Sequence, residues 1–329
     1  MKKEIVIGEN DCGQRLDRFL AKVFPALKSG IINKAVRNKD VKINKKRTEA
    51  AYRLKKGDLL CIYFPDSLIE PKTDFKEDFT KAGGRLKIVY EDGNIILADK
   101  EQGLVVHSDN EAADDTLINR IKKYLYLKGE YDPQRENSFA PALCNRIDRN
   151  TCGIVIAAKN AEALRILNDK IKNRELSKKY ICIAAGEMPK RGDTLTAYLQ
   201  KDSEANRVRI TNVKNAQNLT VKTKYKVLDS FGELSLLEIE LLTGRTHQIR
   251  AHLAYIGHPL LGDGKYGANK VNVKYGFKGQ ALCSYKLTFD FKTDGGILNY
   301  LDKKTFQVEG IPFLDKYYSI KGQKERTKK

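Results

Sequence analysis

One carboxylate between two arginines is the most chemically suggestive feature of this chain. In Asn145-Arg146-Ile147-Asp148-Arg149-Asn150-Thr151-Cys152-Gly153, Asp148 sits in a short polar loop. That loop enters the apolar run Ile154-Val155-Ile156-Ala157-Ala158, which reads as a strand. Flanking guanidiniums favour the ionised acid and attract polyanions. An ionised carboxylate can act as nucleophile, charge partner or proton acceptor. In isolation, Arg146-x-Asp148 reads better as a loop ion pair at the surface, worth little.

Two other patterns point to chemistry less well. His247, His252 and His258 invite a metal reading. The i, i+5 spacing of the first two puts them on different faces of a helix, unlike the i, i+4 pair of H-E-x-x-H, so no metal is expected. Gly262-x-Gly264-x-x-Gly267 has the spacing of a dinucleotide fingerprint. It follows His258-Pro259 rather than a strand that opens a βαβ unit, and it reads as a loop.

The elements that must position these groups fall into two blocks. Residues 1–64 hold 16 Lys and Arg against seven Asp and Glu. Leu16, Phe19, Leu20 and Val23 have helical spacing, and Ser29 to Arg37 predicts a second helix with Ser29 as N-cap. Val41 to Asn44 and Leu54 to Ile62 read as a short strand and a turn with a strand. Residues 65–85, with Pro65, Pro71, an acidic cluster and Gly83-Gly84, have linker composition. From 86 to about 320 the pattern is mixed. A hairpin turns at Asp92-Gly93, and helices are predicted over Thr116 to Leu125 and Ala161 to Ile171. Strands are predicted over 153–159 and Tyr180 to Ala185, and a long hairpin over Val221 to Leu242. A further helix is predicted from Arg245 to Ile256, ended by Gly257, with His247, Arg250 and Ala254 on one face. The fold class is therefore α+β: a mixed, largely antiparallel sheet with flanking helices, plus a small N-terminal α/β module. The basic tail 321–329 reads as a frayed terminus.

The 329 residues carry a formal net charge of +19 and 41% hydrophobic residues. The chain is globular, and its excess charge calls for a polyanionic partner. No apolar run reaches the ~20 residues of a spanning helix, and no leader is recognisable, so a membrane partner is not expected. The six cysteines are scattered and form no C-x-x-C, which fits a reduced, cytoplasmic setting. No coiled-coil heptads are present, and a monomer is expected.

The Asp148 loop resembles the R-[LI]-D-x-x-T-[SC]-G signature of RluA-type pseudouridine synthases. Four further stretches are similar to that family in chain order. Tyr90-Glu91-Asp92 with Lys100-x-x-Gly103-Leu104-Val105-Val106-His107 resembles the opening hairpin, and Lys178-Lys179-Tyr180 a following strand. Leu242 to Leu253, containing Thr243-Gly244-Arg245-Thr246-His247-Gln248-Ile249-Arg250, and Gly257-His258-Pro259-Leu260-Leu261-Gly262-Asp263 resemble the closing elements. Residues 1–64 resemble the alpha-L RNA-binding module of a small-subunit ribosomal protein. The resemblance implies an enzyme that isomerises uridine in structured RNA to pseudouridine without cofactor. Large-subunit ribosomal RNA is the first expectation and transfer RNA the second. It implies catalytic roles for Asp148, Tyr180 (stacking and proton transfer) and Arg250 (pairing with the aspartate). Arg146 would fill the vacated place in the RNA, and Arg245, His247, Arg15 and Arg18 are candidate RNA contacts. Asn145 and Cys152 depart from the usual His and Ser, and Lys100-Glu101-Gln102-Gly103 lacks the proline of the usual K-P-x-G, with Glu101 in its place. The rival expectation is a noncatalytic RNA-binding or ribosome-assembly protein that retains the synthase fold.

Overall fold

The computed structural model describes residues 2–65, 68, 79–107, 115–202, 207–267 and 269–327. The N-terminal block contains β1 (Lys2–Val6), α1 (Leu16–Val23), α2 (Ser29–Arg37), β2 (Val41–Ile43), β3 (Lys46–Arg47) and β4 (Leu59–Tyr63). Its sheet runs β1-β4-β2-β3, and every pairing is antiparallel. Leu16, Phe19 and Leu20 of α1 and Ile32, Ala35 and Val36 of α2 are buried in its small core. Ser29 is the first residue of α2 rather than its cap; Lys28 caps it without a side-chain hydrogen bond. The edge strand β1 has no counterpart among the predicted elements.

The larger block opens with the hairpin β5 (Ile88–Glu91) and β6 (Ile95–Lys100). Asp92 Oδ1 accepts the N–H groups of Asn94 and Ile95 and so fixes the turn. Helix α3 (Leu117–Leu127) is capped by Thr116, whose side chain accepts the Asn119 N–H. It buries Leu117, Ile121 and Leu125, a stripe at i, i+4 and i+8. Then follow β7 (Ala142–Leu143), β8 (Cys152–Ala158), α4 (Ala161–Lys172), β9 (Leu176–Ala185), β10 (Gly192–Asp202), β11 (Arg207–Thr211), β12 (Leu219–Phe231) and β13 (Leu234–Leu241). Helices α5 (Gln248–Tyr255) and α6 (Asn269–Lys274), strands β14 (Leu282–Phe289) and β15 (Thr305–Gln307), and helix α7 (Pro312–Thr327) complete it. The sheet order is β11-β10-β12-β13-β9-β14-β8-β6-β5, with β15 beside β14 and β7 beside β8. The β14–β8 pairing is parallel and its neighbours are antiparallel, so the expected mixed, largely antiparallel sheet is present.

The central strands are apolar throughout because both faces of the sheet are covered. Side chains alternate between the two faces with a period of two. Ile154, Ile156, Ile181 and Ile183 enter one core, while Val155, Ala157, Tyr180 and Cys182 enter the other. The second core also receives Ile147 from the Asp148 loop and Ile249 and Leu253 from α5. Three separate elements are thereby brought together on one face of the sheet.

Three expectations need correction. Helix α5 starts at Gln248, so Arg245-Thr246-His247 is a turn and His247 is not on a helical face. The C-terminal segment is helix through Thr327 rather than a frayed tail, and Lys321 pairs with Asp229 at 2.8 Å. Strands β10, β11 and β14 were not predicted. Much of the expected linker, including Pro71, Asp74, Glu77 and Asp78, lies outside the described residues.

Candidate active site

Gly153 explains why the Asp148 loop leaves its strand as it does. Its φ is +106°, and a Cβ there would collide with the backbone carbonyl of Ser284 on the parallel neighbour β14. Only glycine permits both that conformation and that approach. The loop is then held by side chains from elsewhere. Lys100, fully buried, donates from Nζ to the carbonyls of Arg149 (2.9 Å), Leu104 (2.7 Å) and Glu101 (2.9 Å). Gln280 Nε2 donates to Thr151 Oγ1 at 2.9 Å, and Gln102 Nε2 to the Asn150 carbonyl at 2.9 Å. Asn145 Oδ1 accepts the Ile156 N–H at 2.8 Å, so the departure at 145 supplies a backbone-like acceptor to β8. Cys152 Sγ lies 3.5 Å from the Leu282 carbonyl.

Asp148 is partly exposed, and its Oδ2 accepts from Arg250 Nη1 at 3.0 Å. The same guanidinium donates to both carboxylate oxygens of Asp263, at 2.7 and 3.0 Å. Asp263 Oδ1 also accepts the backbone N–H groups of Lys265 and Tyr266, at 2.9 and 3.1 Å. The Arg250 guanidinium lies 5.1 Å from the centre of the Tyr266 ring. Burial disfavours its charge, but the bonds to Asp263 and Asp148 outweigh that and raise its pKa. Burial acts against the Asp263 carboxylate too, and Arg250 still draws it below its ordinary value. One planar cation, locked on one side, thus presents its free edge to Asp148.

Tyr180 is 7% exposed and faces the same core as Ile147 and Ile249. Burial pushes its phenol up to about 12, and the Asp148 charge adds to that rise. The hydroxyl therefore keeps its proton at neutral pH. Strand β14, opposite Tyr180, has a register shift between Ser284 and Lys286. Such bulges re-aim side chains next to functional sites.

His247 Nε2 lies 3.9 Å from Asp148 Oδ2, and its Nδ1 is 3.0 Å from Tyr266 Oη. Burial lowers its pKa from 6.5, against the pull of Asp148. His252, by contrast, is buried against Thr223 Oγ1 at 2.9 Å. The two imidazoles do not converge. Arg146 is exposed beside Asp148, and Arg245 is exposed on the turn before α5. Arg15 and Arg18 belong to the N-terminal module; Arg15 makes two hydrogen bonds to Asp17, and Arg18 is exposed.

The structure brings Asp148, Arg250 and His247 together and sets Tyr180 on the same face. Sequence reasoning did not single out Asp263, Tyr266, Lys100 or Gln280. Asp263 and Lys100 lie inside stretches that carried the family resemblance. Gln280 has no local pattern to mark it.

The profile described as RNA pseudouridylate synthase matches residues 94–255, and that of the S4 domain matches residues 14–60. An RNA pseudouridine synthase of Mycoplasma genitalium, MG370, is 34% identical over 84% of this chain and 85% of its own. The ribosomal large subunit pseudouridine synthase C of Vibrio parahaemolyticus is 31% identical over 82% of each. Among solved structures, human RNA pseudouridylate synthase domain containing 4 superposes with a TM-score of 0.54 at 19% identity, covering 70% of this chain and 90% of its own. That structural likeness concerns the fold. The chain belongs to the RluA-type RNA pseudouridine synthases and carries the S4 module at its N-terminal side.

Proposed function

We propose that this synthase isomerises specific uridines of large-subunit ribosomal RNA, with Asp148 as the essential carboxylate and no cofactor. The observation that carries the catalytic assignment is the Asp148–Arg250–Asp263 chain beside buried Tyr180. The substrate assignment draws on relatives named for the ribosomal large subunit in three Vibrio species, each about four-fifths covered.

The reaction breaks the bond between C1′ and N1 of uracil and forms one between C1′ and C5; C5 gives up its proton and N1, which keeps the electron pair of the broken bond, takes one up. Nothing is oxidised, and the product is an isomer of the substrate. Asp148 acts at the sugar or ring, as nucleophile or as proton acceptor, and must be ionised to do either. Arg250 orients it. Tyr180 offers a ring face to the uracil and a protonated hydroxyl for proton transfer. The target base must leave its stack to reach this pocket. Arg146, which is exposed, then stacks in the vacancy and bonds neighbouring bases. The working unit proposed is a cytoplasmic monomer, a reading supported by scattered cysteines that form no C-x-x-C and by a sequence without coiled-coil heptads.

Mapping pseudouridines in RNA from a strain lacking the gene tests the substrate. The expected result is loss of discrete positions in large-subunit ribosomal RNA. Loss confined to transfer RNA, or none, would refute the assignment.

A further inference from the structure

We propose that His247, held as its Nε2–H tautomer by Tyr266, donates a hydrogen bond to an oxygen of the nucleotide seated at Asp148. The inference rests on the reading of Asp148 above.

His247 has φ +52° and ψ 17°, a left-handed conformation uncommon for a residue with a Cβ. Such strain persists where the surroundings over-determine it. Tyr266 supplies those surroundings. Its backbone N–H is bonded to Asp263, the Arg250 guanidinium faces its ring, and its Oη accepts the Val208 N–H at 3.0 Å. The His247 and Tyr266 rings meet edge to face, with centroids 5.7 Å apart at 74°.

A phenol carries one proton. Val208 fills an acceptor position on Oη, which leaves that proton to donate. Among the described residues, the remaining hydrogen-bond partner of Oη is His247 Nδ1 at 3.0 Å. Nδ1 therefore accepts, and a neutral ring carries its own proton on Nε2. Asp148, Arg250, Lys265 and Asp263 are the charged groups that act on this imidazole, and burial keeps it on the neutral side. Nε2 faces Asp148 Oδ2 at 3.9 Å, beyond hydrogen-bond range, and that oxygen already accepts from Arg250. Among the described residues no acceptor bonds Nε2. A nucleotide brought to Asp148 carries oxygens into the same few ångströms: the 2′-hydroxyl, the ring oxygen and the uracil carbonyls.

The substrate for the test is an RNA fragment spanning a uridine mapped as above. Wild type must convert it and Asp148→Asn must not; a different result there concerns the function and leaves His247 aside. Two His247 variants then separate donor from backbone roles. The amide nitrogen of Gln reaches the place of Nε2, whereas that of Asn reaches only the place of Nδ1. Asn tolerates the left-handed conformation better than Gln. A donor role ranks His247→Gln above His247→Asn, and a backbone role reverses them. We expect kcat to fall about 100-fold in His247→Asn and no more than about tenfold in His247→Gln, the scale of one positioned donor. Tyr266→Phe removes the proton that sets the tautomer and should lower kcat about tenfold. Equal or better activity in His247→Asn than in His247→Gln would overturn the proposal, as would an unchanged kcat in folded Tyr266→Phe. Affinity for RNA with 2′-deoxyuridine at the target assigns the oxygen. If the wild-type advantage over His247→Asn vanishes, the partner is the 2′-hydroxyl; if it persists, the partner is a ring or carbonyl oxygen.

Discussion

Asp263 is 1% exposed, and its acceptor oxygens are filled by Arg250 and two backbone N–H groups. Removing one partner of such a buried pair costs about 3–5 kcal/mol, because the other charge is stranded. Arg250→Leu should therefore lower stability by that amount, seen in urea unfolding, as well as abolish activity. Adding Asp263→Asn should recover part of the stability and none of the activity; recovered activity would show that Arg250 has only a structural role. A second residue-scale effect follows from His252, which burial takes down from 6.5 to about 4. Between those values the unfolded chain binds a proton that the folded chain does not. The stability contribution is complete above the unfolded value and is lost as pH falls toward about 4, ~3 kcal/mol in all. Urea midpoints at about pH 5 and about pH 7 should differ less in His252→Gln than in wild type. An equal difference in the two would contradict the assignment.

At the scale of elements, the site is a loop anchored from below. Lys100 reaches three carbonyls around the Asp148 loop, and burial pushes its pKa from 10.5 down to about 8. Between these values the folded chain holds fewer protons than the unfolded one, so titration of this group favours the folded state as pH rises. A neutral amine nevertheless has two N–H donors for three carbonyls. Activity should fall above about pH 8 while the thermal midpoint shows no loss from this group, and Lys100→Met should be inactive in the same way at all pH values. A flat activity profile through that range would contradict the anchor. Legibility at this scale followed local signal. The Asp92-Gly93 turn, the capped helices α3 and α4, and the β12–β13 hairpin lie within a few residues of their predicted bounds. Strand β14 was not predicted, although it pairs with β8, β9 and β15. It is partnered from distant sequence, with no adjacent turn to announce it. The start of α5 was placed three residues early because helical spacing cannot reveal that His247 takes a left-handed turn. The motif stretches singled out Asp148, Arg250 and Tyr180, but gave no sign of the tertiary contact by which Gln280 holds the loop at Thr151.

At the scale of the molecule, the S4 module is docked rather than tethered loosely. Asp11, buried at 1% exposure, accepts from Asn137 Nδ2 at 2.7 Å and Ser138 Oγ at 2.6 Å. Asn10 Oδ1 accepts the first N–H of helix α4, from Ala161, at 3.0 Å. Arg165 donates to the Cys12 carbonyl at 3.1 Å. These contacts hold the module and its positive charge against the larger block. Asp11→Ala should weaken RNA affinity and leave turnover on a minimal stem-loop within about threefold, since interface and site share no residue. Lost turnover on that stem-loop with the fold intact would contradict the division of labour. The net charge of +19 predicts that log affinity for RNA falls linearly with log salt. Each phosphate contact adds about −0.7 to −0.9 to the slope.

The most direct measurement is conversion of a mapped uridine by purified Asp148→Asn, which exchanges one charged oxygen for an amide and leaves size unchanged. The account predicts folded protein that binds the RNA and forms no pseudouridine. Pseudouridine formed at the wild-type rate would contradict it.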